Sequence, residues 1–289
     1  MLPFHLAPQP PLPFAAAEGY STAALALSVG PWDNVAEHRD IRFGSEPWQV
    51  LDMFTPDGAG PGSNLDVLVF FHGGGWTNGY KEWCGFMAPA LAAHGVMLVA
   101  ATHRLAPATR YPAFLNDALA AIAATAGLVQ DYGGDPQRLF LGGHSAGGHV
   151  AAMCALRRDL WSGFGLSERM LKGACPISGI LDLHQEAPVP GSLEARVYEA
   201  VLERPSDDHD ASPLTWLRAG TLPLFLSWGE RDSARVRRSN LQARDMLQAL
   251  PGKALFREYP EDHFGTHLAL KDPRHDWYAA FNMLRTNQI

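Results

Sequence analysis

The chain has 289 residues, with 47% hydrophobic and 18% charged positions, which fits one large globular domain and excludes a disordered protein. Its 23 Lys and Arg against 30 Asp and Glu give a net charge of −7 with no basic block, arguing against a nucleic-acid partner or an anionic membrane surface. The 28 glycines and 22 prolines disfavour a helical bundle, and three widely spaced cysteines encode neither a disulfide framework nor a zinc site.

Residues 1–45 carry little periodic pattern. The proline-rich start has no basic leader and does not read as a signal peptide, and no apolar run reaches the roughly 18 residues of a bilayer span. A soluble, cytoplasmic protein is expected. The run Pro8–Pro13 cannot be helix or central strand, because proline fixes φ and removes a donor. Two readings of this arm stay open: a loosely packed surface segment, and a lid over a pocket.

From residue 48 short apolar runs alternate with amphipathic stretches. Strands are predicted at Gln49–Phe54, Asp66–Phe71, Val96–Thr102, Arg138–Leu141, Gly173–Ile177, Leu224–Trp228 and Leu255–Tyr259. Helices are predicted at Phe114–Gln130, Gly147–Arg157, Arg235–Leu250 and Trp277–Leu284. This alternation predicts an α/β fold: a single domain over 1–289 with a mainly parallel, twisted sheet flanked by helices. Between Leu183 and Leu222 the rhythm stops, with a short helical stretch near Leu193–Leu202 and a polar run Ser206–Ser212. Residues 184–221 therefore read as a small cap insertion at a strand's carboxyl end, where ligands bind, or as a plain surface excursion.

The chemistry concentrates in four places. Gly143-His144-Ser145-Ala146-Gly147 fits G-x-S-x-G between a predicted strand and a small-residue helix, the setting of a nucleophile elbow. His72-Gly73-Gly74-Gly75-Trp76 follows the strand Asp66–Phe71, so the backbone N–H groups of Gly74 and Gly75, with that of Ala146, could receive an oxyanion. A serine needs a base and an acid, and in folds built around a nucleophile elbow both follow it in the chain. Asp232 follows one strand and His263 the next; Glu230 competes with Asp232, and His267 falls at a helix start. His72 and His144 belong to the two motifs, and His144 and Trp76 are candidate substrate contacts. No H-E-x-x-H spacing occurs, so neither metal nor cofactor is expected.

These motifs, together with Arg104-Leu105-Ala106-Pro107, Tyr111-Pro112-Ala113 and Asp117, resemble the α/β-hydrolases related to hormone-sensitive lipase, carboxylesterases and arylformamidases. The resemblance covers roughly residues 48–285 and implies an α/β-hydrolase fold. It further implies a Ser145–His263–Asp232 triad and hydrolysis of a small-molecule ester or formamide. His144 before the serine and Asp232-Ser233-Ala234 depart from the lipase-like pattern. With Phe86–Leu91 and Ile177–Leu183, they lean towards kynurenine formamidases and small esterases. Short-chain or aromatic esters are the first expectation and aryl formamides the alternative. A non-catalytic ligand-binding protein on the same fold is the remote one. Related enzymes often dimerise, so a homodimer is an option.

Overall fold

The computed structural model describes residues 4–289. Eight strands form one sheet: β1 (Val35–Arg42), β2 (Val50–Pro56), β3 (Leu65–Phe71), β4 (Val96–Ala101), β5 (Gly134–His144), β6 (Leu171–Ile177), β7 (Leu224–Arg231) and β8 (Ala254–Asp262). Their spatial order is β1-β2-β4-β3-β5-β6-β7-β8. β1 and β2 run antiparallel to their neighbours, and every pairing from β4 to β8 is parallel. The helices are α1 (Ala15–Leu27), α2 (Ala88–Ala93), α3 (Ala113–Leu128), α4 (Ala146–Leu156) and α5 (Arg158–Trp161). They continue with α6 (Leu193–Arg196), α7 (Pro213–Trp216), α8 (Ala234–Ala249), α9 (Gly265–Leu268) and α10 (Asp276–Arg285).

Strand β3 shows why the sheet is covered on both faces. Side chains alternate across a strand, so an unbroken apolar run must bury two sides. Val67, Val69 and Phe71 pack in one core with Phe114, Leu119 and Val150 from α3 and α4. Leu68 and Phe70 pack in a second core with Tyr20, Leu91 and Phe281 from α1, α2 and α10. By length and composition alone the helical stretch Ala113–Tyr132 is apolar enough to cross a membrane, as core helices of globular domains also are. Its buried face, including Phe114, Leu115, Leu119 and Ile122, is the part that packs in the core.

The least patterned part of the sequence is structured. α1 buries Ala17, Tyr20, Ala24 and Leu25, a helical stripe that periodicity misses because alanine gives little polar contrast. β1 is a charged edge strand with a bulge between His38 and Ile41, at which Asp40 has φ 56°. The proline run is extended but not loosely attached. Gln9 exchanges two hydrogen bonds of 2.7 Å with the backbone of Gly79, and Asn78 Nδ2 donates to Pro10 O at 2.6 Å. The segment between β6 and β7 holds α6, a π-helical turn Val197–Val201, a 3-10 turn Pro205–Asp207 and α7.

Candidate active site

Strand β5 ends at His144, and Ser145 turns the chain sharply into α4 with φ 56° and ψ −118°. That positive φ is costly for serine and persists because the surroundings fix it. Ser145 N donates to Ile177 O at 2.9 Å, and His149 N donates to Ser145 O at 3.0 Å. The flanking glycines are sterically required. A Cβ on Gly143 would lie 2.3 Å from Gly147 O, and one on Gly147 would lie 2.1 Å from Phe71 O.

Two loops at the same sheet edge bring the other groups to Ser145. His263 follows β8 directly, and its Nε2 lies 2.8 Å from Ser145 Oγ. Asp232 follows β7, with Oδ1 2.5 Å from His263 Nδ1. Its Oδ2 accepts from Ser178 Oγ at 2.6 Å and from Gly229 N at 3.0 Å. Burial alone would raise the Asp232 pKa. The hydrogen bond and charge of His263, then Ser178 and Gly229, outweigh that and hold it below the ordinary carboxylate value. Glu230 is exposed and takes no part in this chain of contacts. Ser178 and Thr266 are additions that sequence reading missed. The two hydroxyls lie 2.8 Å apart, and Thr266 Oγ1 is also 2.8 Å from His263 O. Ser178 stands one residue past β6, inside the segment Ile177–Leu183 that carries part of the resemblance, but nothing in that segment revealed its contact with Asp232.

The His72–Trp76 loop faces the serine from β3. Gly74 has φ 111° and a Cβ there would strike Asn78 O at 2.2 Å, so no other residue fits. Among the described residues, the N–H groups of Gly74, Gly75 and Ala146 donate to no protein acceptor. The loop is tied down through Trp76, whose Nε1 donates to His149 Nδ1 at 3.1 Å. His149 Nε2 in turn donates to Ala211 O at 2.7 Å, in the segment between β6 and β7. That pair of contacts fixes the His149 tautomer and assigns it a bridging position that no motif revealed. His72 Nδ1 donates to Gly73 O at 2.8 Å.

His144 lies beneath this loop with its Nε2 2.7 Å from His263 O, so Nε2 carries the proton. Burial, reinforced by His263 and His267, pushes its pKa well below the ordinary value, so the ring is neutral. His267 stacks on both Phe70 and His144, and its Nδ1 lies 2.8 Å from the Tyr20 hydroxyl of α1.

A cavity of about 240 Å³ opens on Ser145, Gly74, Gly75, Trp76, His144 and His263. The N-terminal arm lines it with Leu12, Pro13, Phe14, Ala17 and Tyr20. The β6–β7 segment contributes Leu193, Glu194, Arg196, Val197 and Val201, and α8 contributes Arg235 and Val236. Among the described residues one trio, His184, Asp208 and His209, has potential metal-ligating atoms within 4.8 Å of one another. Its carboxylate is already engaged by His184 Nδ1 at 2.8 Å and Tyr198 OH at 2.7 Å, and none of the trio lines the cavity.

Residues 68–267 match the family described as alpha/beta hydrolase fold. The chain belongs to that family. It is 29% identical over 248 residues to esterase LipQ of Mycobacterium tuberculosis, a match covering 81% of this chain and 58% of that protein. It is 27% identical over 226 residues to kynurenine formamidase of Danio rerio, covering 78% of this chain and 74% of that enzyme. The chain thus spans little more than half of the first relative's length. Among solved structures, an esterase of Pyrobaculum calidifontis superposes with a TM-score of 0.74 at 20% identity, covering 95% of this chain and 93% of that one. At that identity the likeness concerns the fold.

Proposed function

We propose that this chain is a serine hydrolase that cleaves short-chain or aromatic carboxylic esters through an acyl-enzyme. The observation that carries the reading is the continuous contact chain from Ser145 Oγ through His263 to the buried Asp232. His263 Nε2 takes the Ser145 proton as Oγ attacks the carbonyl, and Asp232 orients the ring and stabilises the imidazolium. The free N–H groups of Gly74, Gly75 and Ala146 receive the oxyanion, each such donor being worth about 100- to 1000-fold in rate. His263 then protonates the leaving group and draws a proton from the water that releases the acid.

The cavity of about 240 Å³ suits a short or single-ring group rather than a long lipid chain. The N-terminal arm acts as one wall of it and residues 184–221 as a small cap. An aryl formamide is the second reading, favoured by the match to most of the length of the zebrafish kynurenine formamidase. The three cysteines are free and buried, which supports a reducing, cytoplasmic setting.

The test is a panel of nitrophenyl esters and aryl formamides, with fluorophosphonate labelling of the wild type and of Ser145→Ala. Turnover and labelling are expected in the wild type and neither in the variant. Turnover retained by folded Ser145→Ala refutes the mechanism, and a formamide preference of tenfold or more in kcat/KM selects the second reading.

A further inference from the structure

Among the described residues only two cations are classed as buried, Lys81 and Arg235, and they differ in one respect. Lys81 Nζ has three carboxylates at 2.8 Å, those of Asp40, Asp52 and Glu82. Arg235 is 8% exposed, and among the described residues no carboxylate oxygen lies within 4.0 Å of its guanidinium. Its Nε and Nη2 share a single acceptor, Asp182 O, at 3.4 and 3.3 Å, and Nη1 has no protein acceptor. Buried charges are ordinarily paired, because removing a charge from water costs several kcal/mol. Desolvation lowers the Arg235 pKa, and the more distant Glu194 and Asp182 only partly offset it.

Arg235, the second residue of α8, lines the cavity that holds Ser145. Arg196 lines the same cavity from α6. Its Nη2 donates to Thr77 Oγ1 at 3.1 Å, and it too has no carboxylate within 4.0 Å among the described residues. Against these two cations the cavity wall sets one carboxylate, Glu194, and a neutral His144. A planar, permanently charged fork with open donors is matched by a carboxylate, which accepts two parallel N–H bonds.

We infer that the substrate carries a carboxylate, held by Arg235 with Arg196 beside the carbonyl that Ser145 attacks. The inference rests on the hydrolase reading above. The chemical class is a half-ester of a dicarboxylic acid, or an ester or amide whose leaving group bears a carboxylate. Arg235 is the specificity-determining contact in either case.

The experiment measures kcat/KM for two matched pairs: para-nitrophenyl hemiglutarate against para-nitrophenyl valerate, and meta-acetoxybenzoate against its methyl ester. The pairs place the charge on the acyl side and on the leaving-group side respectively. The wild type is expected to prefer the anionic member of one pair by about tenfold or more. Arg235→Met should abolish that preference, mainly through KM. Arg235→Lys should restore part of it, and Arg235→Gln serves if the methionine variant does not fold. Arg238→Met, an exposed site on the same helix, should keep the preference and exclude a mere net-charge effect. Equal rates within both pairs, or a preference that survives loss of Arg235, overturn the inference. Calorimetry of glutarate against valerate on Ser145→Ala needs no turnover. If glutarate binds there through Arg235 while no ester or formamide is hydrolysed by the wild type, the hydrolase reading fails and the anion site stands.

Discussion

Acidification is the perturbation to which this structure is most exposed. Burial pushes the pKa of His72 to about 3, of His149 to about 4 and of His267 to about 3. In the unfolded chain each would titrate near 6.5. The folded values lie below the unfolded ones, so the folded state favours the neutral rings. Their contribution to stability is full above about pH 6.5 and is lost as pH falls towards the folded values. Within that window each ring makes the unfolded chain bind one more proton than the native state, which is about 1.4 kcal/mol per pH unit. Three rings give about 4 kcal/mol per unit. His103 and His144 are shifted the same way, so three is a lower bound. A domain with the usual 5–15 kcal/mol of stability should therefore unfold cooperatively somewhere between about pH 5 and pH 3. Urea unfolding between about pH 6.5 and 5, above the main carboxylate range, measures the slope. His267→Phe, which can keep the stack on Phe70 and His144, should show a slope shallower by about one proton. A wild-type slope below one proton, or an unchanged slope in His267→Phe, would refute the assignment of these rings as buried and neutral.

Two further outcomes follow from the site. Ser178→Ala removes the 2.6 Å donor to Asp232 Oδ2 and leaves Gly229 N as its remaining partner besides His263. Hydrogen bonds to charged groups are worth about 1.5–3 kcal/mol, so kcat on para-nitrophenyl butyrate should fall by about tenfold with KM little changed. An unaltered kcat would show that Ser178 does not support Asp232. Gly147→Ala would force a Cβ against Phe71 O at 2.1 Å and His72 O at 2.4 Å, both backbone atoms that cannot step aside. A marked drop in Tm is expected, whereas Gly127→Ala on α3, with nothing within 4 Å, should stabilise by about 0.5–1 kcal/mol. A wild-type Tm for Gly147→Ala would mean that the strand–helix crossing is looser than described.

Much of this was legible in the chain before folding, because backbone constraints write themselves into residue choice. The elbow needs glycine wherever helix α4 meets the sheet, so Gly143 and Gly147 announce it. The loop His72–Trp76 needs Gly74 at φ 111° for the same kind of reason. Asp232 and His263 could be placed because each stands directly after an apolar run. What stayed hidden has a different physical origin. α1 presents alanines rather than large apolar residues, and β1 is an edge strand whose charged side chains break the alternation on which strand reading depends. Ser178, Thr266 and His149 act through side chains that converge from distant parts of the chain, and a single residue type at a strand end carries no such signal. His144 adds a distinction sequence could not draw: it lines the cavity, yet its one N–H is spent on His263 O.

The glycine loop owes its shape to neighbours on both sides. On one side Gln9 and Pro10 of the arm bond Gly79 and Asn78, which follow the loop within a few residues. On the other, Trp76 reaches His149, and His149 reaches Ala211 beyond the cap helix α6. The free N–H groups of Gly74 and Gly75 lie between these two ties. Oriented donors stabilise a developing charge only if they do not have to reorganise when it forms. Under the proposed mechanism, the arm and the segment between β6 and β7 would bear on the reaction in two ways, as walls of the cavity and as anchors that hold the donors. His149, which links the loop to the segment between β6 and β7, is one of the rings whose burial favours the neutral form, so this tie is among the contacts that the cooperative acid transition removes.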